Sequence, residues 1–347
     1  MKGQLILENG KRFNGKMFGA IGDVVADVVF TTGMTGYQEV LTDPALAGQI
    51  VTMTFPLIGN YGINFEDMES EKVNLKALVV REKCDFPSNF RMEMNLEDFL
   101  KQQGVVGIEG IDTRALTRIL RTSGSMKGVI VKGEPTQAEV DKLFRQFDDS
   151  SVVSKTTVKE KYVVNKDGNI NVSYIDLGGK NSQLEAFKKK DCKVTVYPAY
   201  TKAEEILGGN PDLVFISSGP GDPAKETKIV DEVKKLIGKV SLSGIGLGHL
   251  IIGLALGAKT EKMSFGHHGA NQPVRDTQTK KIYITSQNHD YVLTNLPEDV
   301  LKTFENVNDG TCEGIEDKKN KIKSIQFHAE NSKSLDFIFD GFLGEVR

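Results

Sequence analysis

His328 and Glu330 stand two residues apart in the segment QFHAE (326–330). At a strand end, residues i and i+2 point to one face. A carboxylate in that position orients and polarises an imidazole. Such a pair ordinarily serves a nucleophile, and its usual place is a G-x-nucleophile-x-G turn between a strand and a helix, where a strained elbow holds it exposed. The matching turn is Gly244-Ile245-Gly246-Leu247-Gly248, followed by His249-Leu250. Its central residue, Gly246, has no side chain and cannot attack. A third loop, SSGPGDP (217–223), carries Gly219 and Gly221, where backbone N–H groups can approach an oxyanion or carboxylate closely. The fourth, GGK (178–180), lacks the full phosphate-binding loop pattern. Together these loops suit acyl chemistry on a small polar substrate, with the attacking atom missing.

No other thiol takes its place. Cys84 lies near Pro87, Cys192 begins a strand-like run, and Cys312 follows a DGT turn. An odd count of three at wide spacing, with no CxxC, argues against a disulfide framework and a zinc site, and makes a reducing cytoplasm the default expectation. His267-His268 raises the question of a metal. Adjacent strand residues face opposite ways, and no partner cysteine or carboxylate cluster is evident in the sequence, so no metal is expected.

The elements that must position these loops follow from patterning. Residues 1–135 read as a β-rich domain: a hairpin turning at Asn9-Gly10, strands near 24–30, 49–55, 76–82 and 128–133, and two helices. One helix starts at Asn95; the other starts at Asp112 and stops at Gly124. Residues 136–168, a short helix followed by a polar serine- and threonine-rich stretch, read as a connecting segment. Residues 169–347 alternate strand and helix, which predicts a doubly wound, mostly parallel α/β sheet with its loops of function at the carboxyl ends of the strands.

A chain of 347 residues suits two domains, because single cores stop growing near ~250–300 residues. Its net charge of −3 (44 basic, 47 acidic residues) gives no reason to expect a nucleic acid partner. The longest apolar runs fall short of the ~20 residues of a membrane span, and MKGQLILENGKRF has no long apolar stretch of a secretory signal, so neither membrane nor export is expected.

The full length resembles the small subunit of carbamoyl-phosphate synthetase, and its second domain resembles class I, triad-type glutamine amidotransferases. The first-domain pattern is carried by MTGYQEVLTDP (34–44), GQIVTMTFPLIGNYG (48–62), PSNFR (87–91) and GIDTRALTRILR (110–121). The second-domain pattern is carried by SSGPGDP, the GxxLGH elbow, KMSFGHHGANQPV (262–274), ITSQNH (284–289), DGTCEGI (309–315) and QFH (326–328). The resemblance implies that an elbow cysteine attacks the glutamine amide, forms a thioester and releases ammonia to a large synthetase subunit. Carried over, base and orienting acid fall on His328 and Glu330, the glutamine-binding glycines on Gly219 and Gly221, and the elbow donor on Leu247. The NHGF-like loop falls on Asn288, His289, Asp290 and Tyr291. It also implies no cofactor on this chain, since ATP and Mg would belong to the large subunit, and roles in arginine and pyrimidine biosynthesis.

The departures gather on one site. The nucleophile is Gly246; GHQ reads GHL, placing Leu250 at a glutamine contact; Asp290 replaces a glycine; DPS reads Asp43-Pro44-Ala45; HPE reads HAE with Ala329; and the proline-rich segment after it is NSKSLD. Several changes around one pocket point to natural decay rather than one engineered lesion, leave His328 and Glu330 a vestigial dyad, and put glutamine binding in question. The expected function is a non-catalytic small subunit that supports an ammonia-using large subunit as scaffold or regulatory partner. The alternatives are a repurposed binding module for a small amino-acid-like ligand, and a glutaminase that works by an unusual route or was inactivated by a point change.

Overall fold

The structure is a computed structural model that describes residues 1–148, 150–330 and 332–344. It divides into two compact units, Met1–Ser150 and Ser151–Arg347.

Unit 1 holds β1 (Lys2–Leu7), β2 (Arg12–Gly19), β3 (Val24–Thr31), helix α1 (Tyr37–Thr42), β4 (Gln49–Met53), β5 (Leu57–Ile58), β6 (Ala77–Val79), β7 (Glu82–Lys83), α2 (Leu96–Gln102), β8 (Val106–Glu109), α3 (Thr113–Ser123), β9 (Met126–Lys132) and α4 (Gln137–Arg145). Seven of these strands close a barrel in the order β1-β2-β8-β6-β4-β3-β9, so no pairing edge is left in that sheet. The hairpin turns where Asn9-Gly10 predicts, with Gly10 at φ 83°. Both helix starts follow from side-chain chemistry: Asn95 accepts from the Asp98 N–H and Asp112 from the Ala115 N–H, each satisfying an otherwise orphan donor. The run 76–82 is not one strand. Its barrel pairing stops at Val79, and Glu82–Lys83 pairs with β5 instead.

The expected connector is absorbed by both units. Thr136 and Glu139 form a capping box at the start of α4, and Val140 of that helix buries against Ile6, Val129 and Val131 of the barrel. Beyond the division, α5 (Val153–Thr156) buries Val153, and β10 (Tyr162–Val164) adds an antiparallel edge strand to unit 2. The amphipathic pattern of α4 was legible as a helix; which surface covered it was not.

Unit 2 continues with β11 (Ile170–Asp176), α6 (Asn181–Lys189), β12 (Cys192–Pro198), α7 (Ala203–Gly208), β13 (Leu213–Ile216), α8 (Thr227–Leu236), β14 (Ser241–Ile245) and α9 (Leu247–Leu256). Then come β15 (Lys259–Asp276), β16 (Ile282–Thr294), β17 (Leu301–Asn306), β18 (Cys312–Asp317), β19 (Ile322–Ile325) and α10 (Asp336–Leu343). The sheet order is β10-β12-β11-β13-β14-β19-β18-β16-β15-β17. From β12 to β19 neighbouring strands are parallel, as the alternating pattern predicts. From β19 onward they are antiparallel, because β15 to β18 are joined by turns rather than crossover helices. The parallel strands are buried on both faces. Ile175, Val214 and Ile216 pack with helix residues Ile206, Ile229, Val233 and Ile251 on one side; Tyr174 and Phe215 pack with Phe187, Phe339 and Phe342 on the other. No helix among the described residues is long and apolar enough to cross a membrane.

Candidate functional site

The site is built at the end of β14. Gly246 follows that strand with φ 59° and ψ −116°, and α9 begins at the next residue. Glycine takes this backbone without the strain a side chain would bring, so the elbow holds its shape at Gly246. The turn is held from both sides. The Gly246 N–H donates to the Ile325 carbonyl of β19 at 3.0 Å, and the Gly248 N–H donates to the Ser217 carbonyl at 3.0 Å. A Cβ on Gly248 would stand 2.1 Å from the Ile216 carbonyl oxygen, so this close approach of helix to strand requires glycine. As the first helical residue, Leu247 offers a backbone N–H with no intrahelical acceptor, which is what an oxyanion donor needs.

A Cβ built on Gly246 would lie 3.3 Å from Ser218 Cβ and 3.9 Å from the Gln326 carbonyl. The 217–223 loop and the strand end of His328 therefore flank the elbow. Ser218 is fixed from behind: its hydroxyl accepts from Gln183 Nε2 at 3.0 Å, and Tyr174 donates to Gln183 Oε1 at 2.9 Å. Gly219 passes so near β11 that a Cβ would meet the Leu177 carbonyl at 2.4 Å, and Gly221 lies at φ 95°. The GGK loop is tied down by Asp176, whose carboxylate accepts from the N–H groups of Gly178 (3.1 Å), Gly179 (2.8 Å) and Val158 (2.7 Å).

The dyad is assembled. His328 Nδ1–H donates to Glu330 Oε1 at 2.9 Å, and the Glu330 side chain is fully buried. Burial opposes the charge on Glu330, but the His328 ring and its hydrogen bond, with Lys180 nearby, outweigh it and hold the carboxyl down to about 2. The His328 backbone N–H donates to the Ser286 carbonyl at 2.9 Å, which brings β16 to the same strand end.

The residues expected on β16 are placed as follows. Asn288 pairs in register with His268. His289 is buried and donates from Nδ1 to the Tyr291 carbonyl at 2.9 Å, with burial and the neighbouring His267 keeping its ring well below the usual imidazole range. Asp290 Oδ1 accepts from His268 Nε2 at 3.0 Å. The Asp290 carboxylate is therefore engaged by a histidine of β15. Leu250 is 2% exposed and packs among the apolar residues of α8 and α9. Ala329 is buried beside Phe327. In NSKSLD, Asn331 lies outside the described residues, and the rest turns into α10. Ala45 belongs to unit 1, where its N–H donates to Asp43 Oδ1 at 2.9 Å.

None of the three cysteines stands at the elbow, and burial pushes the Cys312 thiol up to about 11, away from the reactive thiolate form. Sequence reasoning missed Gln183 and Ser218 as supports, because nothing in their spacing marks them. It also missed the carboxylates beside His267: Asp309 Oδ2 accepts from its Nε2 at 2.9 Å, and Glu313 Oε1 lies 3.3 Å from its Nδ1. His267 and His268 do face different partners, but the carboxylates that the sequence left out of view are present. They arrive on the turn before β18 and on β18 itself, and only strand pairing brings them to β15.

The family model described as "Carbamoyl-phosphate synthase small chain, CPSase domain" matches residues 5–130, and the one described as "Glutamine amidotransferase class-I" matches residues 173–343. The chain is 50% identical to a carbamoyl phosphate synthase small chain of Clostridium perfringens, over 99% of both chains. It is 44% identical to the small chain of Archaeoglobus fulgidus, over 100% of this chain and 99% of that one. Among solved structures it is similar to a glutamine amidotransferase of Thermotoga maritima, at 18% identity and a TM-score of 0.40, covering 51% of this chain and 84% of the other. With its barrel unit, its elbow-bearing α/β unit and 44% to 50% identity to such chains over nearly the full length, this protein belongs to the carbamoyl phosphate synthase small chain family.

Proposed function

We propose that this chain is a carbamoyl-phosphate synthase small subunit whose own glutaminase site is degenerate, and that it serves a large, ammonia-using synthetase subunit as scaffold or regulatory partner. The observation that carries this reading is Gly246 at the elbow. Amide cleavage by this site class needs a thiolate that forms and then releases a thioester. Here the base, its orienting acid and the helix N-terminus stand without the atom they would activate. An oxyanion cradle and a dyad alone leave only water as attacker, without the covalent route on which efficient amide cleavage at such a site depends. What persists is the architecture that a partner subunit would recognise: the closed barrel, the tightly packed α9 and the loops around them. Leu250 in the apolar core and Asp290 engaged by His268 support loss of glutamine recognition along with loss of chemistry.

Reconstitution with the cognate large subunit tests this. Carbamoyl phosphate formation is expected with ammonium as nitrogen donor, to be raised or stabilised by this chain, and absent with glutamine. Glutamine-dependent synthesis proportional to this chain would overturn the proposal.

A further inference from the structure

His267, His289 and Glu313 come from β15, β16 and β18, and one ligand atom from each lies within 4.8 Å of the others. Both rings have one nitrogen committed outward. His267 Nε2–H donates to Asp309 Oδ2 and His289 Nδ1–H to the Tyr291 carbonyl, each at 2.9 Å. That is the arrangement of metal-bound histidines, whose second nitrogen is held by a carboxylate or backbone carbonyl.

On the inner side the hydrogen supply is weak: Asn306 Nδ2 reaches His267 Nδ1 at 3.4 Å, and the Thr311 hydroxyl, 3.4 Å from Glu313 Oε1, stands closer to Asp309 Oδ1 at 2.7 Å. The Gln287 amide is fixed by its Nε2, which donates to Thr285 Oγ1 and to Glu313 Oε2, both at 3.1 Å. The Thr285 hydroxyl spends its own hydrogen on the Gln272 carbonyl at 2.9 Å. Gln287 Oε1 must therefore face His289 Nε2, at 2.9 Å, where two lone pairs oppose each other. Glu313 Oε1 lies 3.3 Å from His267 Nδ1, a second close contact that needs a proton or a metal cation between its atoms. A cation belongs between them. Two extra protons would make two imidazolium rings with centroids only 5.0 Å apart, in surroundings where the rings are 5% and 7% exposed. One divalent ion satisfies all four acceptors at once.

We propose that His267 Nδ1, His289 Nε2 and Glu313 bind one divalent transition-metal ion of the zinc class, with Gln287 Oε1 as a further oxygen donor. Two imidazoles and a carboxylate suit borderline ions such as Zn2+ and Co2+ rather than Mg2+ or Ca2+. Asp309, with its side chain 38% exposed, marks the way in. Bound metal would pin three strands together and fix the stretch 288–291. Protons compete with the metal for the inner nitrogens, so affinity weakens as pH falls.

The test uses the full chain, stripped with a chelator and dialysed against Zn2+ at neutral pH. Bound metal per chain is counted by elemental analysis, and Co2+ is followed by its visible absorption. One ion per chain is expected, lost in Glu313→Gln and in His289→Gln, with circular dichroism checking that the variants fold. Asp309→Asn, at the partly exposed rim, keeps the fold and should bind about 10–100-fold more weakly. No bound zinc at saturation, full stoichiometry in Glu313→Gln, or unchanged affinity in Asp309→Asn would each overturn the site.

Discussion

Gly246→Cys returns a thiol to the elbow, and the structure sets both its cost and its ceiling. The backbone at φ 59° and ψ −116° is one that non-glycine residues hold only under strain of about 1–3 kcal/mol. The new Cβ would sit 3.3 Å from Ser218 Cβ, so that neighbour must give by a few tenths of an ångström. A melting midpoint lowered by roughly 2–12 °C is expected, at ~2–4 °C per kcal/mol for a unit of this size. The thiol would stand at the N-terminus of α9, beside the strand end of His328, where its pKa falls below that of a free cysteine. It should react readily with thiol reagents at neutral pH. Turnover should stay poor. Leu250 is buried in the apolar core and gives no hydrogen bond, a loss of ~1–3 kcal/mol for an unpaired polar substrate group. At tenfold per ~1.4 kcal/mol, that deficit alone is roughly 5–150-fold in kcat/KM, before Asp290 and any misplacement add to it. The assay compares kcat/KM for glutamine in Gly246→Cys with the variant that adds Leu250→Gln, Asp290→Gly and Ala45→Ser, alone and with the large subunit. If the single variant equals the quadruple one, the remaining site was never degraded, and the reasoning from Leu250 and Asp290 fails.

Other outcomes follow from the same geometry. The chain as it stands should release no glutamate from glutamine above background; activity that tracks the protein through re-purification would sink the reading. It should co-elute with its cognate large subunit at micromolar concentration on size exclusion, and failure to do so would remove the scaffold role. Glu330 is held down to about 2, so the stability its ionised form contributes is full above the ordinary glutamate value of ~4.3 and is lost as pH falls toward 2; urea titrations of Glu330→Gln should show a flatter acid limb in that window. His249 is fully buried, and burial outweighs its 2.8 Å bond to Ser324 Oγ, pushing it down to about 3. The unfolded chain therefore takes up a proton below ~6.5 that the folded chain refuses until about 3, and stability should fall by ~1.4 kcal/mol per pH unit across that range. His249→Gln should reduce the acid slope by about that amount, leaving the part that buried His289 contributes with the same sign, read from urea midpoints at pH 6.5 and 4.5; an unchanged slope would show that His249 carries none of it.

Much of this protein is local in the sequence. Asn95, Asp112, Thr136 and Gly124 mark helix ends because capping needs only residues within one turn. The alternation of strand and helix after residue 169 points to a parallel sheet, and the glycine at 246 leaves the elbow without an attacking side chain, which can be read from five consecutive residues. What tertiary structure decided are the relations between distant segments. The antiparallel half of the sheet was not legible, because β15 is an 18-residue strand broken by glycines, polar residues and two register shifts, with no clean period. The barrel's claim on α4 was hidden too, since an amphipathic helix states that it has a buried face but not which surface buries it. The clearest case is His267. Read alone it has a histidine beside it and no acid; in the fold, strand pairing brings Asp309, Glu313 and His289 around it from residues 22 to 46 positions away. Burial then decides what those groups can hold, because ligand atoms that water would separate are kept within 4.8 Å of one another.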